Sequence, residues 1–313
     1  MNKITKEFDS SLDGKKIRYY IYEPDKAPIA IVQLAHGMKE HIGRYEEFAN
    51  ILNANGILFC GNDHLGHGRT ADINSGTYGY FADEKGDEYL VEDVHKLTMI
   101  MKEEYGDIPY FLLGHSMGSF IARLYIEKYY KDVTGCMISG TAGKNPIMKL
   151  GIFIANMRVK IKGAMYYSKF VDKLAMGSFN KKFEDKNSRG NEWLTRDREV
   201  CKKYKEDQYT RFSFTVSGFR DIFVMMYKIN KEEWYNALPQ DFPVFIFSGS
   251  DDPVGNFGKG VNQFYNKLIS TNHNNVKKTL YEGARHEVLN EINREEVYED
   301  IMNWIKAIIT GVK

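Results

Sequence analysis

The sequence predicts an α/β fold, in which a mostly parallel central sheet is flanked by helices and interrupted by a helical insertion. Short continuous apolar runs alternate with amphipathic helical segments, a pattern typical of strands buried on both faces. One of these runs passes directly into a helix through a glycine-rich turn. The chain has 313 residues and is 43% hydrophobic, so it can bury a large core.

The first part of the chain, residues 1–142, carries the beginning of this sheet. Two entering strands are predicted around residues 4–8 and at residues 17–22, where Ile17, Tyr19 and Ile21 alternate with other side chains. Apolar runs predict further strands at 29–34, 57–60, 111–113 and 133–139, and helical periodicity predicts helices at 45–55, 87–105 and 117–130.

The last part, residues 231–313, completes the sheet. It contains predicted strands at 244–247 and 276–281 and predicted helices at 257–269 and 295–309. Residues 143–230 lie between the two parts, and their apolar stretches are interleaved with lysines and arginines, a pattern that fits helices lying over a pocket. We predict that they form a helical cap inserted into the sheet domain.

The segment Gly114-His115-Ser116-Met117-Gly118 lies between a predicted strand and a predicted helix. This is the context of a nucleophile elbow, where a serine in a strained turn exposes its hydroxyl above the sheet. The flanking glycines leave room where a Cβ would strike the strand or the helix. We therefore predict that Ser116 is a nucleophile; the alternative is an ordinary strand-to-helix turn.

Ser116 requires a base and an acid, and the last part of the chain supplies both after predicted strands. His286 follows the strand at 276–281, and Asp251 and Asp252 follow the strand at 244–247. Serine, then aspartate, then histidine is the chain order of α/β-hydrolases. His286 would act as the base, and a carboxylate would orient its imidazole. We favour Asp252 as the acid and predict that Asp251 stabilises the turn.

Several motifs together resemble the monoacylglycerol lipases and lysophospholipases of the serine α/β-hydrolase superfamily, in their bacterial branch. They are His36-Gly37-Met38, Glu40-His41, Gly43-Arg44-Tyr45, Asn62-Asp63-His64-x-Gly66-His67-Gly68, Gly114-His115-Ser116-Met117-Gly118, Gly249-x-x-Asp252 and Gly283-x-x-His286. The resemblance covers nearly the whole chain and implies an α/β-hydrolase fold, with Asp252 at the family's acid position. Residues 191–197 resemble part of the lid of these lipases, whereas Ser119 stands where many relatives have glycine.

The resemblance also implies the position of the oxyanion hole, where backbone N–H groups stabilise the charge of a tetrahedral intermediate. The N–H of Met117 is one expected donor, because it lies at the start of the helix after the elbow. The N–H of Met38 is the second, in the loop after the strand at 29–34.

Other histidines have structural interpretations. We expect His36 to form a hydrogen bond that stabilises its loop, and His115 to be a packing residue that points away from the elbow. His64 and His67 beside Asp63 have a loose metal-ligand spacing, but Gly66 and Gly68 make the segment a turn. We therefore predict no metal site and no cofactor.

The cap has two features that bear on the substrate. Its apolar stretches are rich in Met and Phe, which predicts an acyl-binding tunnel, although the same side chains could simply pack the cap onto the core. The cap carries a formal charge of +10 and the rest of the chain −9. Attraction to an anionic membrane surface is one hypothesis, and a solvated charged exterior is the alternative that we favour.

We therefore predict a serine carboxylic-ester hydrolase that releases a fatty acid from a monoacylglycerol or a lysophospholipid through an acyl-enzyme on Ser116. The alternatives are a short-chain carboxylesterase, a serine aminopeptidase, which would need cap carboxylates aimed at an amine, and a scaffold that has lost the chemistry. Epoxide hydrolases and dehalogenases use an aspartate nucleophile, so Ser116 argues against them.

The expected partner is a small-molecule lipid ester, and no nucleic acid is expected. Transient contact with an anionic membrane surface through the basic cap is expected only under the membrane hypothesis. Nothing in the sequence predicts an oligomeric state. Residues 1–14 lack the apolar run of a secretory signal, and Cys60, Cys136 and Cys201 form neither a disulfide framework nor a zinc pattern. We expect a cytoplasmic protein that is peripheral at the membrane if the cap hypothesis holds.

Overall fold

The computed structural model describes residues 2–186, 188 and 190–311. Its centre is an eight-stranded sheet in the order β1-β2-β4-β3-β5-β6-β7-β8. The pairs β1–β2 and β2–β4 are antiparallel, and every later pair is parallel. The strands are β1 (Asn2–Asp9), β2 (Lys16–Glu23), β3 (Ala30–Ala35), β4 (Ile57–Asn62), β5 (Tyr110–His115), β6 (Gly135–Ser139), β7 (Val244–Gly249) and β8 (Val276–Tyr281). This is the α/β-hydrolase arrangement that the sequence predicts.

Helices connect the strands and cover both faces of the sheet. They are α1 (Glu46–Ala54), α2 (Gly68–Ile73), α3 (Gly86–Tyr105), α4 (Met117–Tyr129), α5 (Met148–Lys162), α6 (Lys169–Met176), α7 (Arg198–Glu206), α8 (Val216–Lys228), α9 (Glu232–Ala237), α10 (Lys259–Ser270) and α11 (Arg294–Thr310). The predicted strands and helices of the first and last parts of the chain are confirmed, with ends shifted by a few residues.

The core consists of two apolar layers, one on each face of the sheet. One layer contains side chains of α3, α4 and α10, and the other contains side chains of α1 and α11. Every residue of β3, β4, β5, β6 and β7 is buried, whereas β1 at one edge is mostly exposed. The continuous apolar runs of the sequence therefore correspond to the strands in the middle of the sheet.

The helices α5 to α8 lie between β6 and β7, in the segment that the sequence predicts as a cap at 143–230. Helix α5 packs on α8, where Gly151 of α5 lies against the ring of Phe223. The burial of α5 is incomplete, because only Gly151 and Ala155 of its 15 residues are fully buried. The outward side of this part of the cap is therefore open to solvent.

Two local differences from the sequence predictions have a backbone explanation. Helix α2 begins at Gly68, at the end of the segment predicted only as a turn. Helix α10 begins at Lys259 rather than at residue 257, because Phe257 and Gly258 have φ angles of +54° and +79°. Neither conformation can continue a right-handed helix. Among the described residues, no helix is both long and apolar enough to span a bilayer.

Candidate active site

Ser116 occupies the sharp turn between β5 and α4. Its φ of +54° and ψ of −121° are strained for a residue with a side chain. A Cβ on Gly114 would lie 2.4 Å from the carbonyl oxygen of Gly118, and a Cβ on Gly118 would lie 1.9 Å from that of Ala35. Only glycine fits at these two positions, so the close approach of helix and strand explains the Gly-x-Ser-x-Gly pattern.

Asp252 and His286 meet beyond the carboxyl ends of β7 and β8. The imidazole Nδ1 lies 3.0 Å from Asp252 Oδ1, and both side chains are buried. The carboxylate also accepts hydrogen bonds from Ser248 Oγ at 2.9 Å and from the Val254 N–H at 2.8 Å. With Nδ1–H donating to the carboxylate, the other nitrogen of His286 can accept a proton. His286 and Ser116 line the same cavity.

The two partners shift each other's pKa in the directions expected of an ion pair. Burial alone would lower the pKa of His286, but the charge and the hydrogen bond of Asp252 outweigh it and raise the pKa above 6.5. Burial would raise the pKa of Asp252, but the interactions with His286 and the hydrogen bond from Ser248 lower it instead. Asp252 therefore stays ionised, and protonation of the imidazole is favoured.

The interpretation of Asp251 as a turn-stabilising residue is wrong. Its carboxylate forms an ion pair with Lys182 of the cap at 2.7 Å. The side-chain hydrogen bond to the backbone two residues further on is made by Asp252, which accepts from the Val254 N–H. Asp251 is partly exposed, whereas Asp252 is buried, and this places the two side chains in different environments.

The loop after β3 lies directly against the elbow. A Cβ on Gly37 would be 2.9 Å from the Ser116 Cβ, and the Gly37 N–H donates to Glu40 Oε1. Met38 and Met117, the two predicted oxyanion donors, both line the cavity that contains Ser116. Met117 is the first residue of α4, so the helix itself offers no acceptor for its N–H.

His36 stabilises this loop, as predicted. Its Nδ1 lies 2.8 Å from the Gly37 carbonyl oxygen, and its Nε2 accepts from the His64 N–H at 3.1 Å. Asp63 accepts from the backbone N–H groups of Ile42 at 3.0 Å and Arg69 at 2.9 Å. Asp63 thus ties its own loop to the segment after β3 and to the start of α2, a structural role consistent with the turn interpretation. No group of three or more potential metal ligands occurs within the described part of the chain.

His115 is a packing residue, as predicted. It is buried, and its ring lies 4.8 Å from the ring of His286. That it points away from the elbow stays a prediction. Burial and the neighbouring His286 lower the pKa of His115 to about 3, so it is neutral. On the cap side, the ring of Trp193 lies 5.0 Å from the His286 ring. The imidazole is therefore enclosed between a core ring and a cap ring.

The cavity above Ser116 has a volume of about 780 Å³. This is in the range of pockets for small organic ligands. Its apolar wall comes largely from α8 and the start of α5, with Ile147, Met148, Phe219, Ile222, Phe223 and Met226. The exposed Lys144 and Lys259 also line it and mark its open side. The arrangement places a nucleophile candidate at the polar floor of an apolar chamber.

A buried ionic cluster connects the loop after β3 to the loop that carries His286, and the sequence reasoning did not assign it a function. Arg44 binds Glu287 through two hydrogen bonds of 2.7 and 2.6 Å and Glu40 through one of 3.0 Å. The Tyr45 hydroxyl donates to Glu40 at 3.0 Å. The motif Glu40-His41…Arg44-Tyr45 was the available signal, but its partner Glu287 is far away along the chain.

Arg123 is a second residue that the sequence reasoning missed. It is fully buried in α4, and its guanidinium lies 3.7 Å from the Phe264 ring centroid and 4.9 Å from that of Trp234. It donates to the carbonyl oxygens of Ala142 at 3.2 Å and Ile229 at 2.5 Å. These two residues lie where the chain enters and leaves the cap segment. Arg123 therefore ties both ends of the cap to the helix that follows Ser116.

Comparison with known proteins identifies the family and the fold of this chain. A family model described as "Serine aminopeptidase, S33" matches residues 26–293. The chain is 26% identical over 304 residues to the monoacylglycerol lipase of Mycolicibacterium smegmatis, and the alignment covers 95% of each of the two chains. It is also 26% identical to an uncharacterised abhydrolase domain-containing protein of Dictyostelium discoideum, but spans only 29% of the length of that protein.

Among solved structures, a thermostable carboxyl esterase from Bacillus coagulans in complex with glycerol is similar over 99% of both chains. The TM-score is 0.92 and the sequence identity is 32%. This similarity extends beyond the sheet to the inserted helices, because so little of either chain is left out.

Proposed function

Because the chain belongs to the serine aminopeptidase S33 family and is a serine α/β-hydrolase related to esterases and lipases, we propose that it hydrolyses monoacyl lipid esters. The substrate would be a monoacylglycerol or a lysophospholipid, and the product a fatty acid. The observation that carries this proposal is the apolar chamber of about 780 Å³ above Ser116. A chamber of this size and composition suits an acyl chain.

In the proposed reaction, Ser116 Oγ attacks the ester carbonyl carbon while the unprotonated nitrogen of His286 takes the hydroxyl proton. The N–H groups of Met38 and Met117 donate to the resulting oxyanion. The C–O bond to the glycerol breaks as His286 returns the proton to the leaving oxygen. Water then attacks the acyl-enzyme, again with His286 as base, and the fatty acid is released as Ser116 regains its proton.

The runner-up activities fit the site less well. An aminopeptidase would need a carboxylate free to bind the substrate amine. The lining carboxylates Glu40 and Glu287 are both held by Arg44, and the lysines on the open side would repel an ammonium group. A short-chain carboxylesterase remains the second candidate, because the Bacillus coagulans relative is called a carboxyl esterase.

The test combines covalent labelling with a substrate panel. A fluorophosphonate probe should label the protein but not Ser116→Ala, and this variant should lose about 10⁶-fold in kcat. The panel contains short esters, monoacylglycerols of rising chain length and lysophospholipids. We expect kcat/KM to rise with chain length until the chamber is filled. The exposed Ser270→Ala serves as the matched control and should keep full activity.

Two results would contradict the proposal in different ways. Ester hydrolysis by Ser116→Ala near the parent rate would exclude Ser116 as the nucleophile. Labelling at Ser116 with hydrolysis confined to acetyl and butyryl esters would leave a serine esterase but remove the lipid substrate.

A further inference from the structure

We propose that the outward faces of α5 and α6 form a docking surface for an anionic lipid bilayer. Of the 17 large hydrophobic side chains that are exposed among the described residues, ten lie between residues 147 and 174. They are Ile147, Leu150, Phe153, Met157, Ile161, Met165, Tyr166, Tyr167, Phe170 and Leu174. These ten residues are called the cap face below. Such a concentration marks an interaction site, whereas scattered exposed apolar residues are ordinary.

The cap face is continuous along α5. Leu150, Phe153, Met157 and Ile161 recur every three or four residues, so they form one stripe along the helix. Phe153 is 61% exposed and Ile161 is 66% exposed. The opposite side of α5 is anchored, because Gly151 and Ala155 are buried against the cap interior. The stripe is therefore presented by a fixed helix.

Helix α6 extends the same surface. Phe170 and Leu174 are four residues apart and are 55% and 49% exposed, whereas Val171 between them is buried. The guanidinium of Arg158 in α5 lies 5.7 Å from the ring centroid of Phe170, which links the two helices. Together the two helices present aromatic and aliphatic side chains with a basic edge, the composition of an interfacial membrane-binding element.

The charge of the cap is concentrated in the same segment. Residues 143–183 contain nine lysines and arginines and a single acidic residue, Asp172, which gives +8 of the cap's +10. Lys182 pairs with Asp251. The other eight cations have no carboxylate partner in an ion pair among the residues that the structure describes. Residues 184–230 contain ten basic and eight acidic residues, so that half of the cap is nearly neutral.

This charge selects the occupant. A second copy of the chain would bring two faces of +8 together, and their repulsion opposes self-association. An anionic bilayer satisfies both properties of the surface, because it offers negative headgroups to the lysines and an acyl interior to the apolar stripe. Each basic residue near such a surface raises the binding constant roughly fivefold.

The cap face lies beside the cavity above Ser116, so docking would bring the site to its substrate. This step rests on the proposed function. Ile147 and Leu174 belong to the cap face and also line the cavity above Ser116. A bilayer on this face would therefore lie at the opening of the chamber. A monoacyl lipid could then leave the bilayer and enter the chamber without exposing its acyl chain to water.

The test is flotation with vesicles, using the Ser116→Ala variant of the whole chain so that the lipid is not consumed. One set of vesicles contains phosphatidylcholine alone, and the other also contains about 30 mol % phosphatidylglycerol, whose negative headgroups attract lysines near the surface. We expect at least tenfold tighter binding to the anionic vesicles at low salt, and loss of most of this difference at roughly 0.5 M salt, where charges are screened.

Two double variants separate the apolar and the electrostatic contributions. Phe153→Ser with Ile161→Ser should lower binding to anionic vesicles at least tenfold, and Lys160→Gln with Lys162→Gln should lower it by roughly 25-fold, a fivefold effect for each charge. The matched control, Lys26→Gln with Lys203→Gln, removes the same charge from exposed sites elsewhere and should change binding less than threefold. Made in the parent chain, with Ser116 intact, all three double variants should keep the parent rate on a soluble short-chain ester, which shows that they fold.

Equal binding to neutral and anionic vesicles at every salt concentration would overturn the proposal, as would an equal loss in the control. Sedimentation could instead show that the parent chain is a dimer and that Phe153→Ser with Ile161→Ser makes it a monomer. That result would assign the cap face to a second copy of the chain. If the protein hydrolyses none of the monoacyl lipids in the substrate panel, the vesicle-binding result still stands, because binding is measured without turnover. The two proposals therefore fail independently.

Discussion

The floor and the roof of the cavity are built in opposite ways. The floor comes from loops of the sheet domain and consists of polar groups in fixed hydrogen bonds, such as Asp252 with His286 at 3.0 Å and His36 with the Gly37 carbonyl of its own loop. The roof comes from the cap and consists of apolar side chains of α5 and α8, with an exposed outer face. Directional bonds hold the floor, whereas non-directional packing holds most of the roof.

This difference teaches how chemistry and selectivity can be separated within one chain. Charge stabilisation in a reaction needs donors and acceptors fixed in advance, and a sheet with buried strands can hold them. Selection of an acyl chain needs only apolar surface of suitable shape. Changes in the floor should therefore reduce the rate on all esters alike, whereas changes in the roof should alter the ranking of esters.

The largest effect is expected in the floor. Asp252→Asn should lower kcat by about 10⁴-fold on short and long esters alike, because the imidazole loses the carboxylate that fixes its tautomer. The pH profile should change as well. Activity requires the neutral imidazole, so kcat/KM of the parent should rise with pH through a pKa above 6.5. Without the carboxylate this pKa falls, and the rising limb should move to lower pH.

The neighbouring aspartate is the control for that experiment. Asp251→Asn removes only the ion pair with Lys182, which is partly exposed, and should change kcat less than threefold. If Asp251→Asn were the damaging change and Asp252→Asn the mild one, the acid would be assigned to the wrong residue. Esterase rates between pH 5 and 9, roughly the range in which histidine titrates, would decide.

The next effect is expected at the joint between floor and roof. Arg123→Ala should lower the free energy of unfolding by about 3 kcal/mol, because it leaves a cavity and the unbonded carbonyl oxygens of Ala142 and Ile229. With both ends of the cap released, the preference for long-chain esters should fall more than the rate on short ones.

Urea unfolding and the ratio of long-chain to short-chain kcat/KM are the measurements for this variant. The exposed Arg211→Ala is the matched control and should stay within about 0.5 kcal/mol of the parent. A large loss of stability with an unchanged ratio would show that Arg123 serves the core and does not position the cap.

The smallest effect is expected in the roof. Met226→Trp places a larger side chain in the cavity above Ser116, so the longest acyl chain that fits should be shorter. Exclusion of two methylene groups removes about 1.6 kcal/mol of binding, so kcat/KM for the longest esters should fall more than tenfold. The rate on acetyl esters should be nearly unchanged.

The same substitution at an exposed position controls for nonspecific effects. Met99→Trp lies at a side chain that is 46% exposed on α3 and should leave the chain-length profile unchanged. An equal loss on acetyl and long-chain esters in Met226→Trp would contradict the separation of roof and floor.

Most of the fold was predictable because its signals are local. The buried strands are continuous apolar runs, and α3, α4 and α11 have clear helical periodicity. The pairing of His286 with Asp252 followed from the position of each residue after a strand, because the carboxyl ends of parallel strands meet at one edge. Their catalytic roles, with those of Ser116, Met38 and Met117, stay predictions.

The errors arose where a side chain's direction depends on distant partners. The contact of His115 with His286, 171 positions further along the chain, was not predicted. Asp251 was assigned to its own turn, but it pairs with Lys182 of the cap. Sequence spacing gives the face of an element, whereas the contacts on that face depend on which element packs there.

The sequence by itself determined the sheet, the elbow and the order of the three site residues, because periodicity and glycine positions reflect local backbone geometry. Only the tertiary structure decided the ionic cluster of Arg44 with Glu287, the clamp of Arg123 on both ends of the cap, and the exposed cap face. Arg44 and Glu287 are 243 positions apart. Such contacts depend on the packing of whole elements, and a helix with apolar residues on two sides shows which side is buried only when its neighbours are in place.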